Sequence, residues 1–234
     1  MCAIIFTNNK EIAVIEDIYN VNSRRGELAT GYYTSEEYDL KYGDYEYYGV
    51  SEINKHEGML NNELLAKDGL NIIHCQSPTS DVREWSFDNA HPFTYGKWVV
   101  FHNGVITNED ELKYKIINYN YNINIDRCSV DSCLIPLLLH SFGIEDTLNS
   151  IKGTFGLCIV DNNIIRGESL KYPKIYFARQ GSPLWHSEDG QVISTISTEI
   201  NNVEMSEGIV YRWNHNKPLS QELTFTNKTP YFTL

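Results

Sequence analysis

Apolar residues in this chain are grouped in short runs rich in β-branched side chains, and few stretches repeat them at the three-and-four spacing of a helix. The runs Ala3–Phe6, Leu70–His74, Lys97–His102, Gly156–Asp161, Lys174–Ala178, Gln191–Ser194 and Gly208–Trp213 predict strands. Helices are predicted over Asp17–Arg24, over Met59–Lys67 stopping before Gly69, over Asn108–Asn118 behind a good capping residue, and over Ser129–Phe142 ending at Gly143. Strands and helices come in clusters and do not strictly alternate. The pattern therefore favours an α+β fold with layered sheets over a doubly wound parallel one. The segment Tyr32–Tyr48 is dense in Tyr and acidic residues, with too little apolar alternation to set a strand register. It is expected as an exposed hairpin or loop with its rings lying on the core, or as a binding loop that uses the apolar body and polar tip of Tyr together.

No linker, internal repeat or low-complexity block divides the chain, so residues 1–234 read as one domain, with 216–234 as a C-terminal tail. Charge narrows the partners. Against 19 Lys and Arg stand 31 Asp and Glu, a net charge of -12, which is the wrong sign for gripping phosphate backbones and argues against direct nucleic-acid binding. A hydrophobic content of 41% is too high for a disordered chain. The start, Met1 to Thr7, lacks a basic leader, and Leu134 to Leu139 falls far short of the roughly 20 apolar residues of a membrane span. A soluble, cytoplasmic protein is expected. Five cysteines, Cys2, Cys75, Cys128, Cys133 and Cys158, are odd in number and irregularly spaced, which fits reduced thiols better than a disulfide framework. Cys128 and Cys133 lack a second close pair and no two His stand at i, i+4, so neither a metal nor a cofactor is expected.

Candidate chemistry begins at Cys2. Removal of Met1 would leave a thiol and a free α-amine on one residue, and an amine with a pKa near 7.7 to 8.0 has enough neutral fraction to take the thiol proton. A small residue at position two without catalytic meaning is the plainer reading. A second feature is Asn103-Gly104, behind the strand Lys97–Val100. A side-chain amide and a glycine backbone N–H can form an oxyanion hole, although Asn-Gly is also a common hairpin turn. His74, His91 and His102 are each read first as hydrogen-bonded core histidines, with general-base chemistry as the alternative. Asp131 taken alone is a helix N-terminal acid.

The ordered set Met-Cys-Ala-Ile-Ile at the start, Arg25-Gly26, His74 to Thr79, Asn89-Ala90-His91-Pro92-Phe93, His102 to Asn108, Ser129-Val130-Asp131-Ser132 and Ile151 to Gly156 resembles class II glutamine amidotransferase domains of the N-terminal nucleophile type. The resemblance spans about residues 2–215. It implies a four-layer αββα sandwich in which Cys2 attacks the side-chain amide of glutamine, releases ammonia and leaves a thioester for water to hydrolyse. By the same resemblance Asn103 and Gly104 stabilise the oxyanion, and Asp131 binds the substrate α-ammonium. The 76–80 loop, with Gln76 and Thr79, would take the α-carboxylate, and the Arg25-Gly26 loop would close near Cys2. Gln76 stands where the family usually has an Arg, Ala3 follows Met-Cys in place of Gly, and Cys133 follows the Asp-Ser pair in place of an acid. Loss of a charge-assisted carboxylate pair would cost about 1.5 to 3 kcal/mol. Gln76, with no acceptor domain evident after about residue 215, leaves three readings: ammonia passed to a separate acceptor subunit, a stand-alone hydrolase of another γ-glutamyl amide, or a catalytically silent scaffold.

Overall fold

The computed structural model describes residues 2–8, 10–36, 40–42, 45–47, 51–66, 69–77, 86–120, 123–125, 128–162, 173–215 and 217–226. The first half runs β1 (Ala3–Asn8), α1 (Ile12–Asn22), β2 (Ala29–Glu36), β3 (Leu40–Tyr42), β4 (Tyr45–Tyr47), β5 (Ser51–Glu57), β6 (Gly69–Gln76), β7 (Phe93–Tyr95) and β8 (Trp98–Ile106). The second runs α2 (Glu109–Tyr119), α3 (Leu134–Leu148), β9 (Gly153–Asp161), β10 (Lys174–Gln180), β11 (Trp185–His186), β12 (Val192–Ser194), β13 (Val203–Glu204), β14 (Ile209–Asn214) and β15 (Lys217–Thr224). One sheet has the order β13-β11-β12-β1-β6-β2-β5 and the other β15-β14-β10-β9-β8-β7, with β3 and β4 forming a small hairpin of their own. Ladder pairs in both large sheets are antiparallel.

Side-chain alternation along the central strands builds the layers. On β1, Ile4 and Phe6 enter the layer between the two sheets, while Ala3 and Ile5 face Ile15, Ile18 and Tyr19 of α1. On β8, Val99 and Phe101 enter the same inter-sheet layer, and Val100 and Ile106 face α2 and α3. Strands buried on both faces have no reason to alternate in polarity, which explains the continuous apolar runs of the sequence. Phe6 meets Phe177 and Trp213 edge-on at centroid distances of 5.2 and 5.5 Å, joining the sheets. The result is helix, sheet, sheet, helix: the expected αββα sandwich.

Several expectations are corrected in detail. The first helix starts at Ile12, because the apolar series Ile12, Ile15, Ile18 and Tyr19 already runs before Asp17. Over Met59–Ala66 the predicted helix gives way to a single 3-10 turn, Asn62–Leu64. Two side-chain amides compete with the helical ladder there: Asn61 accepts from Glu63 N at 3.0 Å, and Asn71 bonds both N and O of Ala66 at 2.8 and 3.0 Å. Gly143 leaves the helical region (φ 75°, ψ -177°), as expected, but helical residues resume beyond it to Leu148. Tyr32 and Tyr33 are fully buried on β2, a strand between β5 and β6, instead of lying in a loop. Residues Lys217–Thr224, expected within a tail, form β15 beside β14, and Phe225 is buried against the α2–α3 core. Cys128 and Cys133 are paired in a disulfide, so only Cys2, Cys75 and Cys158 are free thiols. No helix among the described residues is long and apolar enough to cross a membrane.

Candidate active site

Cys2 is held at the head of β1, whose next residue, Ala3, pairs with Cys75 of β6. The thiol donates a long hydrogen bond to Ser77 O at 3.7 Å, and Arg25 Nε donates to Cys2 O at 3.0 Å. Arg25 closes a 3-10 turn after α1, and Gly26 follows it flat against the end of β6. A Cβ on Gly26 would stand 2.4 Å from Gln76 C and 2.5 Å from Ser77 N, so only glycine lets the two backbones meet. That close approach brings Cys2, Arg25, Gly26 and Gln76 together. Burial pushes the Cys2 thiol up from its ordinary value, with the Ser77 hydrogen bond opposing. The sulfur is therefore a thiol at neutral pH and needs a base.

Asn103 and Gly104 lie inside β8, opposite Gly156 and Phe155 of β9, and not in a hairpin turn. Gly104 has φ 152°, and a Cβ there would fall 2.0 Å from Thr154 O. We expect Gly104→Ala to lower the unfolding free energy by about 2 kcal/mol or more, read by urea titration; an unchanged midpoint would contradict the geometry. Asn103 is on the face of β8 that carries Val99 and Phe101, so its side chain enters the inter-sheet layer. Cys2 alternates with Ile4 and Phe6 toward that layer from the other sheet. Asn103 Nδ2 is buried with no hydrogen-bond partner among the described residues. A buried donor without an acceptor is costly in a resting structure and is what a transient oxyanion requires.

One cavity gathers these pieces: Cys2, Gln76, Ser77, Gly104, Asp131 and Ser132 line it, with His91 and His102 beside them. Asp131 opens a 3-10 turn before α3 and is tied to β8 by Ile106 N, which donates to Oδ2 at 2.9 Å. Gln76 is engaged at both ends of its amide: Nε2 donates to Asn89 O at 2.9 Å and Oε1 accepts from His91 N at 3.2 Å. One amide proton remains for a ligand. Thr79 falls in 78–85, outside the described residues.

The three histidines are buried. His74 stacks on His91 at 3.9 Å between centroids, and its Nε2 contacts His102 O at 3.0 Å. Burial pulls His74 down to about 3 and lowers His91 and His102 as well. All three are neutral at pH 7 in the folded protein; His74 and His102 are hydrogen-bonded as the core reading expects, whereas both ring nitrogens of His91 are buried without a partner among the described residues, so there burial holds and hydrogen bonding does not. A group with a depressed folded value takes up its proton only on unfolding, so the His74 contribution to stability is complete above about pH 6.5 and is lost as pH falls from there toward 3, with His91 and His102 acting in the same direction. Urea unfolding at pH 7 and pH 5 should show a loss of about 1.4 kcal/mol per pH unit below that point from His74 alone, with His91 and His102 adding to it. Flat or rising stability on acidification would contradict it.

Residues 85–167 match the glutamine amidotransferase domain family. The Bacillus subtilis glutamine phosphoribosylpyrophosphate amidotransferase structure superposes with a TM-score of 0.66 over 95% of this chain and 49% of that one; at 15% identity this similarity concerns the fold. The chain resembles the class II glutamine amidotransferases, in its matched segment by sequence and over most of its length by fold. Among curated relatives of this domain, 7-cyano-7-deazaguanine synthase 2 of Sulfurisphaera tokodaii is 28% identical over 130 residues, 53% of this chain and 25% of the relative. A glutamine--fructose-6-phosphate aminotransferase of Haemophilus influenzae is 25% identical over 169 residues, 62% of this chain and 26% of the relative. The amidotransferase domain thus spans about a quarter of the length of the curated relatives it matches.

Of the residues named from the sequence, Cys2, Gln76, Gly104 and Asp131 line one cavity, Arg25 and Gly26 pack at its Cys2 end, and Asn103 is one residue from it. The sequence reading included Ser77 only within the 76–80 loop and did not single out Ser77 or Ser132. Ser77 acts through its carbonyl, which no residue type can signal. Ser132 stood in the Asp131-Ser132 pair, and a hydroxyl beside a carboxylate at a helix start was a usable clue.

Proposed function

We propose that this domain hydrolyses the side-chain amide of L-glutamine to glutamate and ammonia through a thioester on Cys2, and that a separate acceptor subunit consumes the ammonia. The observation that carries the reading is the shared cavity of Cys2, Gly104 and Asp131, to which β strands of two different sheets contribute. In this mechanism the α-amine freed by removal of Met1 accepts the Cys2 proton, since the half-buried thiol, raised above its ordinary value, does not ionise unaided. The thiolate adds to the amide carbon. Asn103 Nδ2 and the Gly104 N–H hold the oxyanion, the ammonium returns its proton to the leaving nitrogen, and ammonia departs. Water then cleaves the thioester. Asp131 receives the α-ammonium, and the Gln76 side of the cavity receives the α-carboxylate. A cytoplasmic setting, where free glutamine is available, is part of the reading.

The engagement of Gln76 by Asn89 and His91 favours one second reading, a hydrolase of a different γ-glutamyl amide. Intact-mass spectrometry before and after a glutamine-mimicking electrophile, with glutamine as competitor, separates the two. Loss of Met1 and one Cys2 adduct that glutamine blocks is the expected outcome. An adduct that glutamine does not block would move the assignment to another amide, and no adduct at all would leave a silent scaffold.

A further inference from the structure

Asp131 and Ser132 begin the turn before α3, and a continuous hydrogen-bond chain ties them to β8. Ser132 N and Ser132 Oγ both donate to Asp131 Oδ1, at 2.7 and 3.1 Å, and His102 Nδ1 lies 2.8 Å from Ser132 Oγ. Proton counting gives the chain its direction. A carboxylate only accepts and a hydroxyl has one proton, so the Ser132 O–H points to Asp131 and His102 Nδ1–H donates to Ser132; the tautomer is assigned from this network. The other carboxylate oxygen, Oδ2, takes one bond, from Ile106 N. Both anchors, the His102 ring and the Ile106 N–H, come from a single strand that is paired with β9 from Trp98 to Ile106. His102 and Ser132 are buried, so the chain is shielded from competing water.

We infer that His102 and Ser132 are positioning residues that orient the Asp131 carboxylate, leaving Oδ2 to receive a substrate α-ammonium, and that this relay sets a preference for amino-acid amides carrying a free α-amine. The inference rests on the role proposed above for Asp131. It adds two residues that act through a third. Exchanging the Ser132 hydroxyl for a methyl group removes one of the two donors to Oδ1 and cuts the link to His102, leaving only the backbone N–H on that oxygen, whereas threonine keeps the hydroxyl. At position 102 an asparagine amide can place its N–H where Nδ1 stands, and a glutamine amide reaches instead toward the Nε2 position.

The test is steady-state ammonia release by the full chain with glutamine and with its des-amino analogue, which lacks only the α-ammonium. Ser132→Ala and His102→Gln should raise the KM for glutamine about tenfold with kcat changed less than about threefold, and should shrink the preference over the analogue by about the same factor. Ser132→Thr and His102→Asn should recover most of the glutamine KM. An unchanged KM in Ser132→Ala, or a fall in kcat with the preference intact, would overturn the inference, as would equal use of both substrates by the unaltered protein. Absence of ammonia release from the unaltered protein would overturn the proposed function instead. Calorimetric titration of glutamine into the same proteins then decides the relay: about tenfold weaker binding in Ser132→Ala supports it, and equal binding, or none by the unaltered protein, overturns it.

Discussion

Cys2→Ala is expected to reduce glutamate release by at least about three orders of magnitude while the protein stays folded. The two halves of that result have separate causes. Activity is lost because no other free thiol can take over: Cys75 and Cys158 are buried, and burial raises both above the ordinary thiol value. Stability is kept because the Cys2 side chain is half-buried and its hydrogen bond, to Ser77 O at 3.7 Å, is long. Circular dichroism and urea unfolding beside an ammonia-release assay check both halves. Residual activity above a tenth of the original would remove Cys2 from the mechanism.

Asn103→Ala should lower kcat by about a hundred- to a thousandfold with little change in KM, the usual range for losing one oxyanion donor. Stability should move by less than about 1 kcal/mol, because the amide nitrogen that disappears has no partner among the described residues. That pairing of effects is diagnostic. A structural asparagine would show the reverse, a loss of stability with kcat largely kept. Labelling of Cys2 by an electrophile that does not build negative charge on oxygen should survive the substitution, which separates the donor's role from the nucleophile's.

The strands of this fold were legible wherever burial on both faces produced an unbroken apolar run, as in β1, β6, β8 and β9. β2 was not, because Tyr32 and Tyr33 are amphipathic and reach partners only tertiary structure supplies: Asn61 N donates to Tyr32 Oη at 2.8 Å, and Tyr33 Oη donates to Asn162 at 2.7 Å. The short turn at Asn62–Leu64 was misread because Asn61 and Asn71 are near in sequence but nothing in their residue type says that their amides take the backbone groups of Glu63 and Ala66. Of the cavity lining, Cys2, Gln76, Gly104 and Asp131 were named from the sequence, whereas Ser77 and Ser132 were not. Asn103-Gly104 read alone looked like a turn; its place inside β8 depends on Gly104 lying against Thr154 of β9, which no spacing in the sequence reveals. Gln76 was noticed for a charge it lacks. Its clamp on Asn89 and His91 became visible only when the chain ends of two elements met.

The split of the proposed nucleophile and the proposed oxyanion donors between two sheets has a mechanical consequence. Cys2 rides on β1 and Asn103-Gly104 on β8, and the material between those strands is the aromatic and aliphatic layer of Phe6, Phe101 and Phe177. Turnover is then a gauge of the thickness of that layer. A misplacement of about 1 Å can cost on the order of a hundredfold in rate, far less than the swelling that breaks a sheet. Ammonia release should therefore fade on warming while both sheets remain hydrogen-bonded, so that the enzyme reports a loosening of its own interior before any spectroscopic probe of secondary structure does.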